Sequence, residues 1–136
     1  MMFRTSVAGI ALEEQKVFIA RRLPGGAMGG RWEFPGGKVR EGESETAALI
    51  REFEEEFALP VEPLFALGEA SFVHKDTRFT LRAYRIKFLS AEYVLSVHSE
   101  VRWAFPAELE GLDFVDSDRL LFPVLQNTPG PITAGP

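Results

Sequence analysis

The 136-residue chain contains no cysteine, so it can form neither a disulfide framework nor a thiolate metal site. It also lacks any apolar run near the roughly 20 residues that cross a bilayer. No signal-peptide core follows the N-terminal residues 1–4, and we therefore expect a cytoplasmic protein without a membrane segment. Positive charge is in deficit, with 15 Lys and Arg against 20 Asp and Glu. The resulting net charge of −5 argues against an extended nucleic-acid surface.

What remains is the composition of one enzyme-sized domain. Hydrophobic residues make up 46 % of the chain, which is enough for a substantial core at this length. The last ten residues hold three prolines and two glycines, and such a segment orders poorly. We therefore predict one domain over residues 1–126 and a poorly ordered tail over 127–136.

The hydrophobic pattern predicts a mixed α/β chain. Strands are expected at 4–12, 16–21, 64–74, 78–89 and 100–105, and helices at 45–57 and 116–126. Ser44 is the predicted N-cap of the first helix, whose buried side would include residues 47–50. Apolar residues change phase at Ala83 and Tyr84, which predicts a bulge or a change of sheet face in that strand.

Three glutamates in the first predicted helix carry the main chemical signal. Glu52, Glu55 and Glu56 are spaced i, i+3 and i+4, so their side chains share one helix face. Like charges this close repel one another, and carboxylate oxygens are ligands for hard cations such as Mg²⁺ or Mn²⁺. The alternative interpretation of these glutamates is a solvated acidic helix face that binds no metal. The glycine pair at 36–37 and Glu43, just upstream, favour a metal site beside a phosphate-binding loop.

The segment Gly37–Leu59, which reads GKVREGESETAALIREFEEEFAL, resembles the Nudix box, G-x5-E-x7-R-E-U-x-E-E-x-G-U with U apolar. Ala58 stands where that pattern has glycine, and Phe53 is a bulkier residue than the usual aliphatic one. Trp32–Lys38, reading WEFPGGK, resembles the MutT-like branch of the same family. Glycine at position 58 would permit a positive φ where the helix ends, so the alanine affects backbone geometry and removes no metal ligand.

The resemblance implies an α/β/α sandwich with a central mixed β-sheet, and a divalent cation, Mg²⁺ or Mn²⁺, as cofactor. The implied metal ligands are the Gly37 carbonyl and the carboxylates of Glu52, Glu55 and Glu56, with one glutamate doubling as base. Glu43 and Arg51 are expected to form a structural ion pair that ties the loop to the helix.

Two cations are predicted to bind phosphate, namely Arg22, by its place in the resemblance, and Lys38, which follows the glycine pair. Each could equally be an ordinary solvated cation. Many MutT-like proteins carry a further acidic residue before the strand that holds Trp103. Glu100 is the candidate for that catalytic position, although the helix carboxylates could act alone. His98 could shuttle protons, but a lone histidine in a polar loop is more often exposed.

A nucleobase would need an apolar slot with a few polar groups. Asp118 and Phe79 are the candidate base-binding residues, with Trp32, Phe72 and Phe114 as further aromatic walls. Asp118 could instead start the last helix, and the aromatic side chains could simply be core. The role of Glu33 stays open.

The leading function is therefore Mg²⁺-dependent hydrolysis of a nucleoside triphosphate, for instance an oxidised purine such as 8-oxo-dGTP, to the monophosphate and pyrophosphate. One alternative is cleavage of ADP-ribose or a sugar nucleotide, and another is a nucleotide-binding module without turnover. A capped-RNA substrate is less favoured because no basic stripe is evident. The expected partner is a small nucleotide bound to a monomer or a homodimer.

Overall fold

The computed structural model describes residues 1–126, so the predicted tail at 127–136 lies outside the described residues. The strands are β1 (Met2–Glu13), β2 (Lys16–Arg22), β3 (Trp32–Glu33), β4 (Gly36–Lys38), β5 (Val61–His74), β6 (Thr77–Phe88) and β7 (His98–Ala104). The helices are α1 (Glu45–Phe57), a 3-10 helix (Pro106–Gly111), α2 (Asp116–Arg119) and α3 (Phe122–Gln126). None of the helices within residues 1–126 is long and apolar enough to cross a membrane.

The seven strands form one mixed sheet in which β1 is central. It pairs in parallel with β6 and antiparallel with β4 and β2. Strands β3 and β7 extend the sheet beyond β2, and β5 extends it beyond β6. The predicted mixed α/β architecture is confirmed.

Each face of the sheet carries its own core, as expected for a three-layer sandwich. Helix α1 covers one face with Leu49, Phe53 and Phe57. The 3-10 helix, the C-terminal helices and the segments between them cover the other face with residues that include Leu109, Phe114, Leu121 and Phe122. Glu52, Glu55 and Glu56 therefore belong to a helix whose other side is packed in the core.

Helix α1 has the predicted bounds and cap, because the Ser44 side chain accepts a hydrogen bond from the Ala47 amide at 3.1 Å. The prediction of its buried side was partly wrong. Ala48 and Leu49 are buried, whereas Ala47 is exposed and Ile50 is 45 % exposed. At about 100° per residue, positions 50 and 47 are turned by about 100° and about 160° from Leu49, so Ile50 lies at the edge of the buried stripe and Ala47 faces outward.

The single C-terminal helix predicted over 116–126 was wrong. Helix α2 ends at Arg119 and α3 starts at Phe122, with a turn between them. Pro123 explains the break, because proline has no amide hydrogen to donate to the carbonyl of residue 119 and fits the first turn of a new helix.

The bulge predicted in β6 was wrong, whereas the alternative, a change of the apolar residues from one sheet face to the other, is confirmed. The register of β6 against β1 runs unbroken from Met2↔Thr77 to Ala11↔Ile86. The shifts in register lie in β5, between residues 63 and 65 and between 66 and 68. The apolar phase changes in β6 because its two faces contact different cores. Leu81 and Ala83 belong to one core, and Ile86 belongs to the other.

Candidate active site

The short strand β4 brings two glycines close to groups where a side chain would not fit. A Cβ atom on Gly36 would collide with the Val7 carbonyl oxygen of β1. A Cβ atom on Gly37 would collide with the Glu52 carboxylate of α1. The loop and the helix therefore meet at Gly37, where Glu52 lies directly against the backbone.

Arg51 and Glu43 form a two-pronged contact between α1 and the segment that precedes it. Arg51 Nε donates to Glu43 Oε2 at 2.7 Å, and Nη2 donates to Oε1 at 2.9 Å. The hydrogen bond from Arg51, joined by one from the Arg40 amide, lowers the pKa of Glu43 to about 2. The ion pair is present, and its structural importance stays a prediction.

The same guanidinium also reaches two of the predicted metal ligands. Arg51 Nη1 lies 3.1 Å from Glu52 Oε1 and 3.2 Å from Glu55 Oε1. Arg51 thereby offsets part of the negative charge on this helix face. Burial nevertheless raises the pKa of Glu52 above its ordinary value, against the opposing effect of Arg51.

Glu56 lies in an environment that strongly disfavours its charged form. Burial, followed by the neighbouring charges of Glu52 and Glu33, raises its pKa to about 8. Its Oε1 atom is buried and has no hydrogen-bond partner within residues 1–126. A group of this kind is costly to ionise unless a cation is bound beside it.

His98 corrects the expectation that this histidine is exposed, because the residue is only 3 % exposed. Strand β7 begins at His98, opposite Arg22 of β2, so the ring lies within the sheet rather than in a loop. His98 Nε2 lies 2.7 Å from Glu33 Oε2 and 4.0 Å from Glu56 Oε1. The ring stacks on Phe57, with centroids 5.0 Å apart and the planes inclined by 6°.

The carboxylates fit a divalent cation. Glu33, Glu56 and His98 each present a ligand atom within 4.8 Å of the others. Burial raises the pKa of Glu52 and of Glu56, and the Oε1 atom of Glu56 has no hydrogen-bond partner within residues 1–126, so a hard dication beside these groups would favour their charged forms. Of the predicted ligands, only Glu56 belongs to this cluster. Glu52 lies beside Gly37, whereas Glu55 is at the surface, with 46 % of its side chain exposed.

The predicted phosphate-binding and catalytic residues outside α1 take different positions. Arg22 Nη1 lies 3.0 Å from Glu33 Oε1. The positive charge of Arg22 acts to lower the pKa of Glu56, so Arg22 belongs to the same site. Lys38 is exposed at the end of β4. Glu100 pairs with Arg21 at 3.2 Å and is absent from the Glu33–Glu56–His98 cluster. A catalytic role for Glu100 stays a prediction.

A cavity of about 250 Å³ opens beside these groups. Its lining combines β1, the start of α2 and β4, which we call the glycine strand (Gly36–Lys38). The lining residues are Ser6, Val7, Ala8, Arg22, Met28, Glu33, Phe34, Gly36, Gly37, Leu81, Val115, Ser117 and Asp118. Sequence reasoning missed Met28 and Leu81 as lining residues. It also missed Phe34, which the WEFPGGK segment could have indicated.

Asp118 lines this cavity from the first turn of α2, which begins at Asp116. Its Oδ2 atom accepts a hydrogen bond from the Phe34 amide at 2.9 Å. Burial raises the pKa of Asp118 to about 7, against the opposing effect of that hydrogen bond. Phe79, by contrast, stacks on Phe72 with centroids 5.0 Å apart and does not line the cavity.

Comparison with known proteins gives consistent matches. The NUDIX domain family matches residues 2–134. The protein named putative 8-oxo-dGTP diphosphatase 2 from Mycobacterium tuberculosis is 40 % identical over 121 residues, covering 88 % of this chain and 85 % of the relative. The CTP pyrophosphohydrolase of Escherichia coli K12 is 42 % identical over 106 residues, covering 75 % and 76 %. The solution structure of the E. coli ORF135 protein superposes with a TM-score of 0.80 at 26 % identity, covering 93 % and 88 %.

Proposed function

The chain belongs to the NUDIX domain family and is a pyrophosphatase that acts on phosphoanhydrides, and from this premise we propose that it hydrolyses a nucleoside triphosphate to the monophosphate and pyrophosphate with Mg²⁺. The observation that carries the proposal is the position of the α1 carboxylates. Glu52 lies beside Gly37, and Gly37 lines the cavity that also holds Arg22 and Asp118.

Glu52, Glu55, Glu56 and the Gly37 carbonyl are the groups that would hold the cation. When bound, Mg²⁺ would neutralise the anionic phosphate oxygens and make water easier to ionise. Mn²⁺ fits the same oxygen ligands. The raised pKa of Glu56 in the absence of a cation means that this carboxylate has most to gain from the neighbouring positive charge.

The chain's own residues supply the remaining chemistry. A water oxygen forms a bond to the α- or the β-phosphorus, and the P–O bond of the anhydride between them breaks. The electron pair leaves on the phosphate group that is not attacked, so either attack gives the monophosphate and pyrophosphate. A carboxylate of α1 takes the proton from the water. Arg22 and Lys38 contact the phosphate oxygens, and these contacts hold the phosphate chain in line and spread its charge.

The cavity beside the glycine strand is the proposed base site. Phe34 and Leu81 offer apolar walls, and Asp118 has one oxygen beyond the one that accepts from the Phe34 amide. With a pKa of about 7, Asp118 can donate a hydrogen bond when protonated and accept one when ionised. An oxidised purine such as 8-oxo-dGTP is the leading substrate, supported by the name of the M. tuberculosis relative. Phe79 stays a candidate at the outer end of the same sheet face.

A pyrimidine triphosphate is the second candidate, because a relative of 42 % identity is named CTP pyrophosphohydrolase. The alternative enzymatic activity is cleavage of a nucleoside diphosphate that is linked to another group, as in ADP-ribose or a sugar nucleotide. The retained glutamates of α1 favour turnover over a module that only binds nucleotide. The cytoplasmic location and the monomeric or homodimeric state stay predictions.

The test is hydrolysis of 8-oxo-dGTP, dGTP, CTP and ADP-ribose with Mg²⁺, with Glu55→Gln as the variant. Glu55 is exposed, so its replacement should leave the fold intact while removing a ligand. Glu54→Gln is the matched control, since Glu54 is an exposed neighbour on the same helix. Pyrophosphate release that is lost in Glu55→Gln but kept in Glu54→Gln supports the proposal. Turnover of ADP-ribose alone refutes the triphosphate assignment.

A further inference from the structure

The loop between β6 and β7, residues 89–97, contacts the C-terminal end of α1. The Val94 amide donates a hydrogen bond to the Phe57 carbonyl at 2.8 Å. The Ser96 hydroxyl donates a hydrogen bond to the Glu56 carbonyl at 3.0 Å. The last four carbonyls of a helix have no partner inside the helix, and in α1 the 89–97 loop supplies the donors for the final two.

The last turn of α1 has few stabilising features of its own. Residues 54–56 are all glutamates, and the turn contains no basic residue. Carboxylates near the negative end of the helix dipole destabilise the turn. Ala58, which follows the helix, has φ 51°, a conformation that disfavours a residue with a Cβ atom. The contacts from the 89–97 loop therefore oppose fraying of the turn that carries Glu55 and Glu56.

The same loop also meets Glu56 on the side of its carboxylate. Two residues after Ser96 the chain reaches His98, whose Nε2 atom lies 4.0 Å from Glu56 Oε1. The carbonyl of the intervening Val97 accepts a hydrogen bond from the Leu23 amide at 3.2 Å, which ties this end of the loop to the chain beyond β2. One short and anchored stretch of chain therefore holds Glu56 by its backbone and faces its side chain.

We propose that Ser96 is a positioning residue, which fixes the last turn of α1 through the Glu56 carbonyl and thereby raises the affinity of the site for a divalent cation. Ser96 itself touches neither the cation nor the substrate. The proposal rests on the function proposed above, in which Glu56 is a ligand, but cation binding can be measured without turnover. Groups that orient a ligand by contacting its side chain contribute about 10–100-fold to metal affinity. A contact through the backbone should contribute less.

The test is Mn²⁺ binding to the wild type, Ser96→Ala and Ser96→Thr, followed by the EPR signal of the free ion. Ser96 is exposed, so its replacement should leave the core intact. Loss of one hydrogen bond should weaken Mn²⁺ binding about fivefold in Ser96→Ala, whereas Ser96→Thr keeps the hydroxyl and should bind within about twofold of the wild type.

Ser90→Ala is the matched control, because Ser90 lies in the same loop and its hydroxyl accepts a hydrogen bond from the Glu92 amide within that loop. Its Mn²⁺ affinity should stay within about twofold of the wild type. An unchanged affinity in Ser96→Ala, or an equal loss in Ser90→Ala, would overturn the proposal.

A second measurement, on the wild type alone, separates positioning from a general effect on stability. Coupling between two equilibria is reciprocal, so a loop that strengthens cation binding must itself be held more firmly when the cation is bound. Saturating Mg²⁺, which is diamagnetic, should slow hydrogen exchange of the Val94 amide by the same factor, about fivefold. This measurement decides the question even if Ser96→Ala does not fold. Exchange at Val94 that is indifferent to Mg²⁺ would overturn the proposal.

Hydrolysis assays distinguish a failure of this proposal from a failure of the proposed function. Ser96-dependent Mn²⁺ binding in a protein that hydrolyses no triphosphate would refute the proposed function and leave the positioning role standing. Triphosphate hydrolysis with a Mn²⁺ affinity that does not change in Ser96→Ala would refute the positioning role alone.

Discussion

Replacing Gly37 with alanine perturbs the candidate site through one methyl group. The new Cβ atom would lie 2.5 Å from the Glu52 carboxylate carbon and 2.8 Å from Oε1. Non-bonded carbon atoms are most stable about 3.5–4.0 Å apart, so the carboxylate must retreat by about 1 Å. A displacement of that size can cost about 100-fold in rate, which corresponds to about 2.7 kcal/mol of transition-state stabilisation.

Folding should hardly change in the same variant, because the group that must move is the far end of a flexible side chain. The backbone φ of Gly37 also lies outside the left-handed region that disfavours alanine. We therefore expect kcat/KM for triphosphate hydrolysis to fall about 100-fold, while the free energy of unfolding changes by less than about 0.5 kcal/mol.

The assay is steady-state hydrolysis over a Mg²⁺ titration, combined with urea unfolding of the same samples. Gly111→Ala is the matched control, since a Cβ atom there meets nothing within 4 Å. A Gly37→Ala enzyme with near wild-type kcat/KM and Mg²⁺ dependence would refute the reasoning, because Glu52 would then not need its place against Gly37. An equally large loss in Gly111→Ala would remove the specificity of the effect.

Three further substitutions test other parts of the account by urea unfolding. Gly9→Ala should destabilise the fold by about 1–3 kcal/mol, because the new Cβ atom would lie 2.5 Å from the Phe53 ring; an unchanged midpoint would contradict the tight contact between α1 and β1. Ala58→Gly should stabilise the fold by up to about 1 kcal/mol. Glycine relieves the strain of the left-handed conformation at φ 51°, and this gain outweighs the extra freedom of glycine in the unfolded chain. A loss of stability would refute this prediction. The folded-state pKa of Asp118, about 7, exceeds its ordinary value of 3.8, so the stability that this group contributes is present below pH 3.8 and is lost as pH rises through about 7. Asp118→Asn should therefore gain stability relative to the wild type across that window, and a difference that does not vary with pH would count against the raised pKa.

The helix that bears the glutamates could be predicted because its signals are local. The Ser44 cap, the end of α1 before Pro60 and the shared face of the glutamates all follow from spacing within a few turns. The glycine of the Nudix pattern at position 58 pointed to a positive φ where the helix ends, and Ala58 has φ 51° and ψ 39°.

The environment of His98 could not be predicted, because it depends on contacts remote in sequence. The ring is buried because β7 pairs with β2 and the ring stacks on Phe57, and its Nε2 atom lies 2.7 Å from Glu33, 65 positions away in the chain. A polar local sequence carries no trace of that pairing. The break between α2 and α3 is a different case, since Pro123 was visible in the sequence and its missing amide predicts the interruption.

The cavity that holds Asp118 could be predicted only in part. The position of Asp118 near the last helices was predicted, but its hydrogen bond from the Phe34 amide requires the segment before α2 to pair with β3, where Phe114 bridges Trp32. Phe79 was chosen as an aromatic candidate without knowledge of its neighbour. Its stacking on Phe72 follows from the register of β5 and β6, which hydrophobic alternation alone does not fix.

The most direct test of the central claim is ³¹P NMR of the products formed from 8-oxo-dGTP and from CTP with Mg²⁺. The account predicts resonances of a nucleoside monophosphate and of pyrophosphate, which appear together and are absent with Glu55→Gln. Formation of a nucleoside diphosphate with inorganic phosphate would contradict the account, because the chain would then be cleaved at its terminal phosphate.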